Sequence, residues 1–414
     1  MDAFELLASL TTLAAMFSWV NHRFLRLAPV IGLMVMSLLL SLVLVGLGAL
    51  GVVPEADLLR TVEQLDFGRT LLHAMLGALL FAGALHIDLD DLAQQGWIVA
   101  LLATLGVVLS TTFVGVLTWF AFGALGLELP FLGCLLFGAL IAPTDPIAVM
   151  AILRRSAVPA TLKTKISGES LFNDGIGLVV FLVLAELAVG EGEPALGAAA
   201  ALFVEEVLGG IGFGLGIGWI AYRLLKSVDQ YQVEILVTLA LVTGGYALAQ
   251  RLHVSGPLAM VVAGLLIGNH GRAFAMSERT RQNLDAFWEL VDEFLNAVLF
   301  VMIGLEVIVL HFTGSLFLAG LVAIPIVLAA RFASVGIPVQ ILRWRRSFSA
   351  HAVKLMTWGG LRGGISVALA LSLPPGPERS ILVAVTYIGV CFSIIVQGLT
   401  IGPLVSRLYP QQDG

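Results

Sequence analysis

From Gly168 to Gly175 the chain reads Gly168-Glu169-Ser170-Leu171-Phe172-Asn173-Asp174-Gly175, which sets two carboxylates, an amide and a hydroxyl inside an apolar stretch. At helical spacing Glu169 and Asn173 share one face, and Ser170 and Asp174 share the adjacent one. Oxygen donors of this kind suit a hard cation. Asp174, Glu169, the Ser170 hydroxyl and a carbonyl from elsewhere could together replace the hydration shell of Na+. Two acids so close cannot both stay ionised in a dry site without compensation. Arg331, one of two basic residues inside apolar stretches, is available to partner one of them. Polar residues that merely glue membrane helices together are usually Ser, Thr and Asn, seldom a pair of acids.

A second constellation supplies that carbonyl. Leu140-Ile141-Ala142-Pro143-Thr144-Asp145-Pro146-Ile147 contains two prolines, each without a backbone donor, so one helix cannot run through it. Asp145-Pro146 reads as a helix start placed in mid-span, because Asp favours the cap and Pro the first helical position. The span must be two half-helices joined by an unwound segment whose carbonyls, that of Thr144 included, need partners. The Asp145 carboxylate is expected to answer the positive end of the second half-helix. Trp358-Gly359-Gly360-Leu361-Arg362-Gly363-Gly364 is a matching fault, followed closely by Ser366. Four glycines weaken the helix and let other backbone approach, and tight packing alone would not require Arg362.

The elements that carry these residues must cross a lipid bilayer. The chain has 414 residues, 59% of them hydrophobic and 12% charged, with a mean hydropathy of +1.00. Soluble domains carry roughly a quarter charged residues, so this chain lacks the means to cover a water-facing surface. Windows of about 20 apolar residues give an all-α polytopic protein of about thirteen transmembrane spans. They lie near residues 3–21, 29–51, 68–86, 96–121, 130–153, 162–189, 196–224, 232–251, 255–269, 286–309, 315–341, 350–373 and 379–405. With the N-terminus outside and the C-terminus cytoplasmic, sixteen of the 22 Lys and Arg fall in inner loops and only Arg60, Arg69, Arg251 and Arg379 in outer ones. Seven spans separate the two faults, so the broken helices enter from opposite sides. That is the pattern of an inverted repeat with its site at the midplane.

Several classes drop out. The net charge of −6 speaks against nucleic acid. No G-x-x-x-x-G-K-[ST] loop occurs, so neither ATP nor another cofactor is expected, and the driving force is a gradient. Cys134 and Cys391 read as small core residues, with neither a disulfide nor a metal role. Asp2 and Glu5 stand where a signal peptide would carry lysines, so the first apolar stretch is expected to be retained. An intramembrane aspartyl protease would want a Gly-x-Gly-Asp context, which neither Asp145 nor Asp174 has. A cation channel needs no broken inverted pair. Glu205, Glu206 and Glu234 read as residues towards span ends or at a subunit contact, and Asp292, Glu293 and Glu306 as residues near the ends of the tenth span.

Thr144-Asp145-Pro146, the Gly168–Asp174 string, Gly304-Leu305-Glu306 and Gly359-Gly360-Leu361-Arg362-Gly363 together resemble the monovalent cation:proton antiporters of the bacterial NhaP type and the mammalian sodium/proton exchangers. The resemblance runs in order over nearly the whole chain. It implies an inner-membrane homodimer that exchanges Na+, or Li+ or K+, for H+ by alternating access and so serves pH homeostasis. It also implies dimerisation-domain helices in 1–95 and 227–312, core halves in 96–190 and 313–414, and a linker in 191–226. By the same likeness Asp174 is the ion-binding aspartate. Glu169, Ser170 and the Thr144 carbonyl complete the Na+ site, and Arg331 pairs with Glu169. The Asn173-Asp174 pair, where electrogenic relatives have two aspartates, implies one-for-one exchange. The stretch after Arg407 is too short to expect the cytosolic regulation of the mammalian proteins.

Overall fold

The computed structural model describes residues 3–51, 75–145, 147–153, 156–189, 196–310, 313–343, 348–349 and 351–410. Helices α1 (Ala3–Val20), α2 (Pro29–Ala49) and α3 (Leu76–Leu85) lead into the long α4 (Leu89–Ala124). A broken pair follows, α5 (Phe131–Ile141) and α6 (Ile147–Leu153), and then α7 (Ala160–Val189), which carries the acidic string. Helices α8 (Leu196–Leu225), α9 (Tyr231–Arg251), α10 (Gly256–Leu266) and α11 (Glu278–Glu306) come next. The last part is α12 (Gly314–Leu342), a second broken pair α13 (Ala352–Trp358) and α14 (Gly364–Leu371), then α15 (Pro377–Phe392) and α16 (Gly398–Leu408). Among the described residues eight helical stretches are long and apolar enough to cross a membrane. The remaining expected spans correspond to α1, the shorter α3, the acid-bearing α11 and the two broken pairs.

Two packing groups form. In one, α4 lies against α5, α7 and α12, while α12 and α14 both lie on α15. Close approach has a visible cause where α4 meets α5: a Cβ on Gly138 would run into the Thr111 backbone. In the other, α10 packs on α8 and α3, and α11 packs on α2. The second group has its own apolar centre, with Phe81, Tyr246 and Trp288 all buried. Trp288 is oriented by its indole N–H, which donates to Thr238 Oγ1 at 3.1 Å, and its ring lies 4.8 Å from that of Phe81.

The groups meet where α7 packs on α8 and α10, and along α11. There Leu299 seats against Gly364, at a place where a Cβ would collide with its isopropyl group.

Candidate ion-binding site

Both expected helix breaks are present, and they lie against each other. The main-chain N–H of Asp145 donates to the carbonyl of Leu361 at 2.8 Å, an antiparallel bridge between the two unwound segments. Arg362 returns the tie: one guanidinium nitrogen donates to the carbonyls of Ala142 at 2.6 Å and Pro143 at 3.1 Å. These carbonyls end α5, where four acceptors go unsatisfied in any helix and the dipole is negative, so a buried cation answers both needs. Asp145 lies at the start of the opposing half-helix. A Cβ on Gly363 would stand 2.8 Å from its Cβ and 3.1 Å from Oδ2. The carboxylate expected to serve its own half-helix therefore stands beside the N-terminus of α14. Pro146, the other half of that expected cap, is outside the described residues.

Each break is also held by the unbroken helix that follows it. In the first repeat Asn173 receives the Thr144 N–H on Oδ1 at 3.2 Å, and its amide nitrogen donates to Thr144 Oγ1 at 2.8 Å. In the second, the Ser393 hydroxyl accepts the Arg362 N–H at 2.8 Å and Gln397 donates to the carbonyl of Trp358 at 3.1 Å. Ser393–Gln397 is a π-helical turn, a widening often found at functional sites. The two halves thus use one construction with different side chains.

Glu169 is bound on both oxygens. Arg331 donates to each at 2.8 Å, and Asn173 donates to Oε1 at 2.9 Å. Glu169 and Arg331 are 2% and 4% exposed, low enough that neither charge could stand alone. A Cβ on Gly360 would come 2.7 Å from Arg331 Nε, so glycine is what admits the guanidinium beside the second break. The Ser170 hydroxyl donates to the Thr144 carbonyl at 2.6 Å and lies 2.7 Å from the Thr144 hydroxyl.

A chamber of about 100 Å3 opens beside this network. Its polar lining is Thr144, Asp145, Asp174, Asp292, Asn296 and Ser366. Of the residues expected at the site, Asp174, Thr144 and Asp145 reach the chamber. Glu169, Ser170 and Asn173 stand one layer behind it and hold Thr144 in place. Arg331 and Arg362 lie behind it as well.

Asp292 and Asn296 were not singled out as site residues from sequence. Both line the chamber and also a vestibule of about 1450 Å3, whose walls include Arg23, Arg26 and Tyr409. They are the doorway residues between the two spaces. Asn296 donates to the Asp292 carboxylate at 3.1 Å, so a one-turn hydrogen bond orients the acid. An opening of this size can admit a small hydrated cation, and the chamber beyond it, lined by Asp145, Asp174 and Asp292, can hold the cation with part of its water.

Residues 10–407 match the family model described as sodium/hydrogen exchanger, transmembrane. The chain is 49% identical to the Na+/H+ antiporter NhaP of Pseudomonas aeruginosa, an alignment covering 99% of this chain and 97% of that protein. It is 35% identical to the Na+/H+ antiporter NhaH of Halobacillus aidingensis, covering 90% and 91%. Its fold is similar to the sodium proton antiporter MjNhaP1 of Methanocaldococcus jannaschii, with a TM-score of 0.76 at 19% identity, over 99% of this chain and all of the other.

Proposed function

The chain belongs to the sodium/hydrogen exchanger family, and on that premise we propose that it exchanges Na+ for H+ at Asp174, one ion for one proton. Na+/H+ antiport is what the names of its relatives state, and a multi-pass membrane protein is what its apolar helices build. The observation that carries the site reading is the bidentate Arg331–Glu169 pair beside the chamber. It removes one acid from the charge balance and leaves Asp174 exposed to the chamber as the group for which the two ions compete.

The stoichiometry follows from the charges that remain. With Glu169 and Arg331 neutralising each other, Asp145, Asp174 and Arg362 leave the crossing with one net negative charge. An uncompensated charge is costly to carry through a low-dielectric barrier. One proton or one Na+ at Asp174 cancels it, so both loaded forms cross and the empty one stays. Arg362 and Asp145 hold the two breaks together through the carbonyls and N–H described above, while Thr144 supplies part of the polar wall and Ser170, one layer back, holds it in place. In this reading the ion enters from the vestibule past Asp292 and Asn296.

The moving unit is the core of residues 96–190 and 313–414. Residues 1–95 and 227–312 hold it in a homodimer, with 191–226 linking the two and the N-terminus outside an inner membrane. Purified protein in vesicles, with an internal pH-sensitive dye, tests the function. Added Na+ is expected to drive a pH change, and Asp174→Asn, nearly isosteric, is expected to abolish it while leaving the elution volume unchanged. Wild-type transport by Asp174→Asn sinks the assignment.

A further inference from the structure

Of the neutral side-chain oxygens in and behind the chamber wall, those of Thr144, Ser170 and Asn173 are already engaged. The Thr144 hydroxyl accepts from Asn173 and shares a hydrogen bond with Ser170, while the Ser170 hydroxyl proton goes to the Thr144 carbonyl. The Asn173 oxygen accepts the Thr144 N–H, and Asn296 turns its amide nitrogen to Asp292. A partly dehydrated monovalent cation needs several protein oxygens, and carboxylates alone would shift the charge balance.

One hydroxyl in the chamber wall has no partner. Ser366 lies in the first turn of α14, fully buried, and its Oγ makes no hydrogen bond. Other buried hydroxyls in the described residues also lack partners, among them Ser110, Thr111 and Thr386, but only Ser366 of these lines the chamber. A buried polar group without a partner calls for an explanation. Ser and Thr in membrane helices commonly donate to the carbonyl four residues back, as Thr104 and Thr112 do in α4. Four residues before Ser366 is Arg362, in the unwound segment, so the helix offers no such outlet.

We propose that the Ser366 hydroxyl oxygen is a ligand of the transported cation, contributed by the second repeat to a site otherwise built from the first. The proposal rests on the reading of Asp174 as the ion-binding carboxylate. A neutral oxygen adds coordination without adding charge, so it strengthens Na+ binding and leaves the one-negative-charge balance intact. Protonation of Asp174 does not need it. The hydroxyl therefore acts on one of the two competing ions and sets their relative affinity.

The test uses the full chain in proteoliposomes, with Na+ and Li+ titrated at alkaline pH, where proton competition is weakest. Ser366→Ala is expected to raise the apparent KM for Na+ about fivefold, the worth of one polar contact. The maximal rate should be spared, and the Li+:Na+ preference should change. Ser366→Thr, which keeps the hydroxyl, is expected to stay near wild type. In detergent, the upward shift in melting temperature caused by Na+ should shrink in Ser366→Ala while the Na+-free melting temperature stays unchanged. Wild-type KM and a wild-type Na+-induced shift in Ser366→Ala overturn the proposal. So does an equal KM rise in Ser366→Thr, which would assign the effect to packing. If Asp174→Asn is inactive and Ser366→Ala is normal, only the Ser366 ligand is lost. If Asp174→Asn transports, the underlying site reading fails first.

Discussion

Arg331 grips Glu169 through two parallel N–H···O bonds of 2.8 Å each, with both side chains at or below 5% exposure. The two residues are on α12 and α7, so this pair ties the second repeat to the first behind the chamber. Removing one member leaves the other charged and buried, at a cost of about 3–5 kcal/mol. Glu169→Gln and Arg331→Met should each lower the melting temperature in detergent, and the double variant should recover part of the loss. Strict additivity would mean that the two do not interact.

Gly363 makes room for Asp145. A methyl there would stand 2.8 Å from the Asp145 Cβ, and the backbone φ of −105° is open to alanine, so the effect is steric and not conformational. Gly363→Ala should push Asp145 out of place and cut the exchange rate at least tenfold. Gly376→Ala, with nothing within 4 Å of the added methyl, should be silent in the same assay.

Asp292 stands where vestibule and chamber meet, so its charge should gather cations at the doorway. Asp292→Asn should raise the apparent KM for Na+ applied from the vestibule side severalfold and leave the maximal rate within about twofold. The increase should fade at high ionic strength, where a single charge is screened. An equal loss of maximal rate at every salt concentration would move Asp292 out of the entry path.

Competition for one carboxylate fixes the sign of the pH dependence. As pH falls, protons occupy more of the Asp174 sites, so the apparent KM for Na+ should rise. As pH rises it should approach a plateau set by Na+ alone. Because each loaded form is neutral, a membrane potential imposed with K+ and valinomycin should leave both rate and end-point unchanged, provided K+ itself is not transported. An end-point that tracks the potential would require a second transported charge and break the Glu169–Arg331 pairing as a permanent feature.

Charged residues inside apolar runs were legible from sequence because so few exist: Asp145, Glu169, Asp174, Arg331 and Arg362. The two helix breaks were legible for an equally local reason, proline in one and glycine in the other. What each charge faces was not. Arg362 caps carbonyls some 220 residues away in the chain, and no local pattern encodes that. Asp145 stands against the opposing half-helix for the same reason. Asp292 was misplaced by hydropathy. The charged stretch from Glu278 to Asp285 ahead of it made the expected span begin near residue 286 and set Asp292 close to an end. The helix runs Glu278–Glu306, with Asp292 at its midpoint.

The double tie between the unwound segments has a mechanical consequence. Neither half-helix can slide along its axis without tearing the Asp145–Leu361 bridge or pulling Arg362 from the end of α5. On the proposed mechanism the crossing would therefore move as a single cog past α11. Leu299 sits in the notch left by Gly364 on that boundary, like a pawl in a tooth.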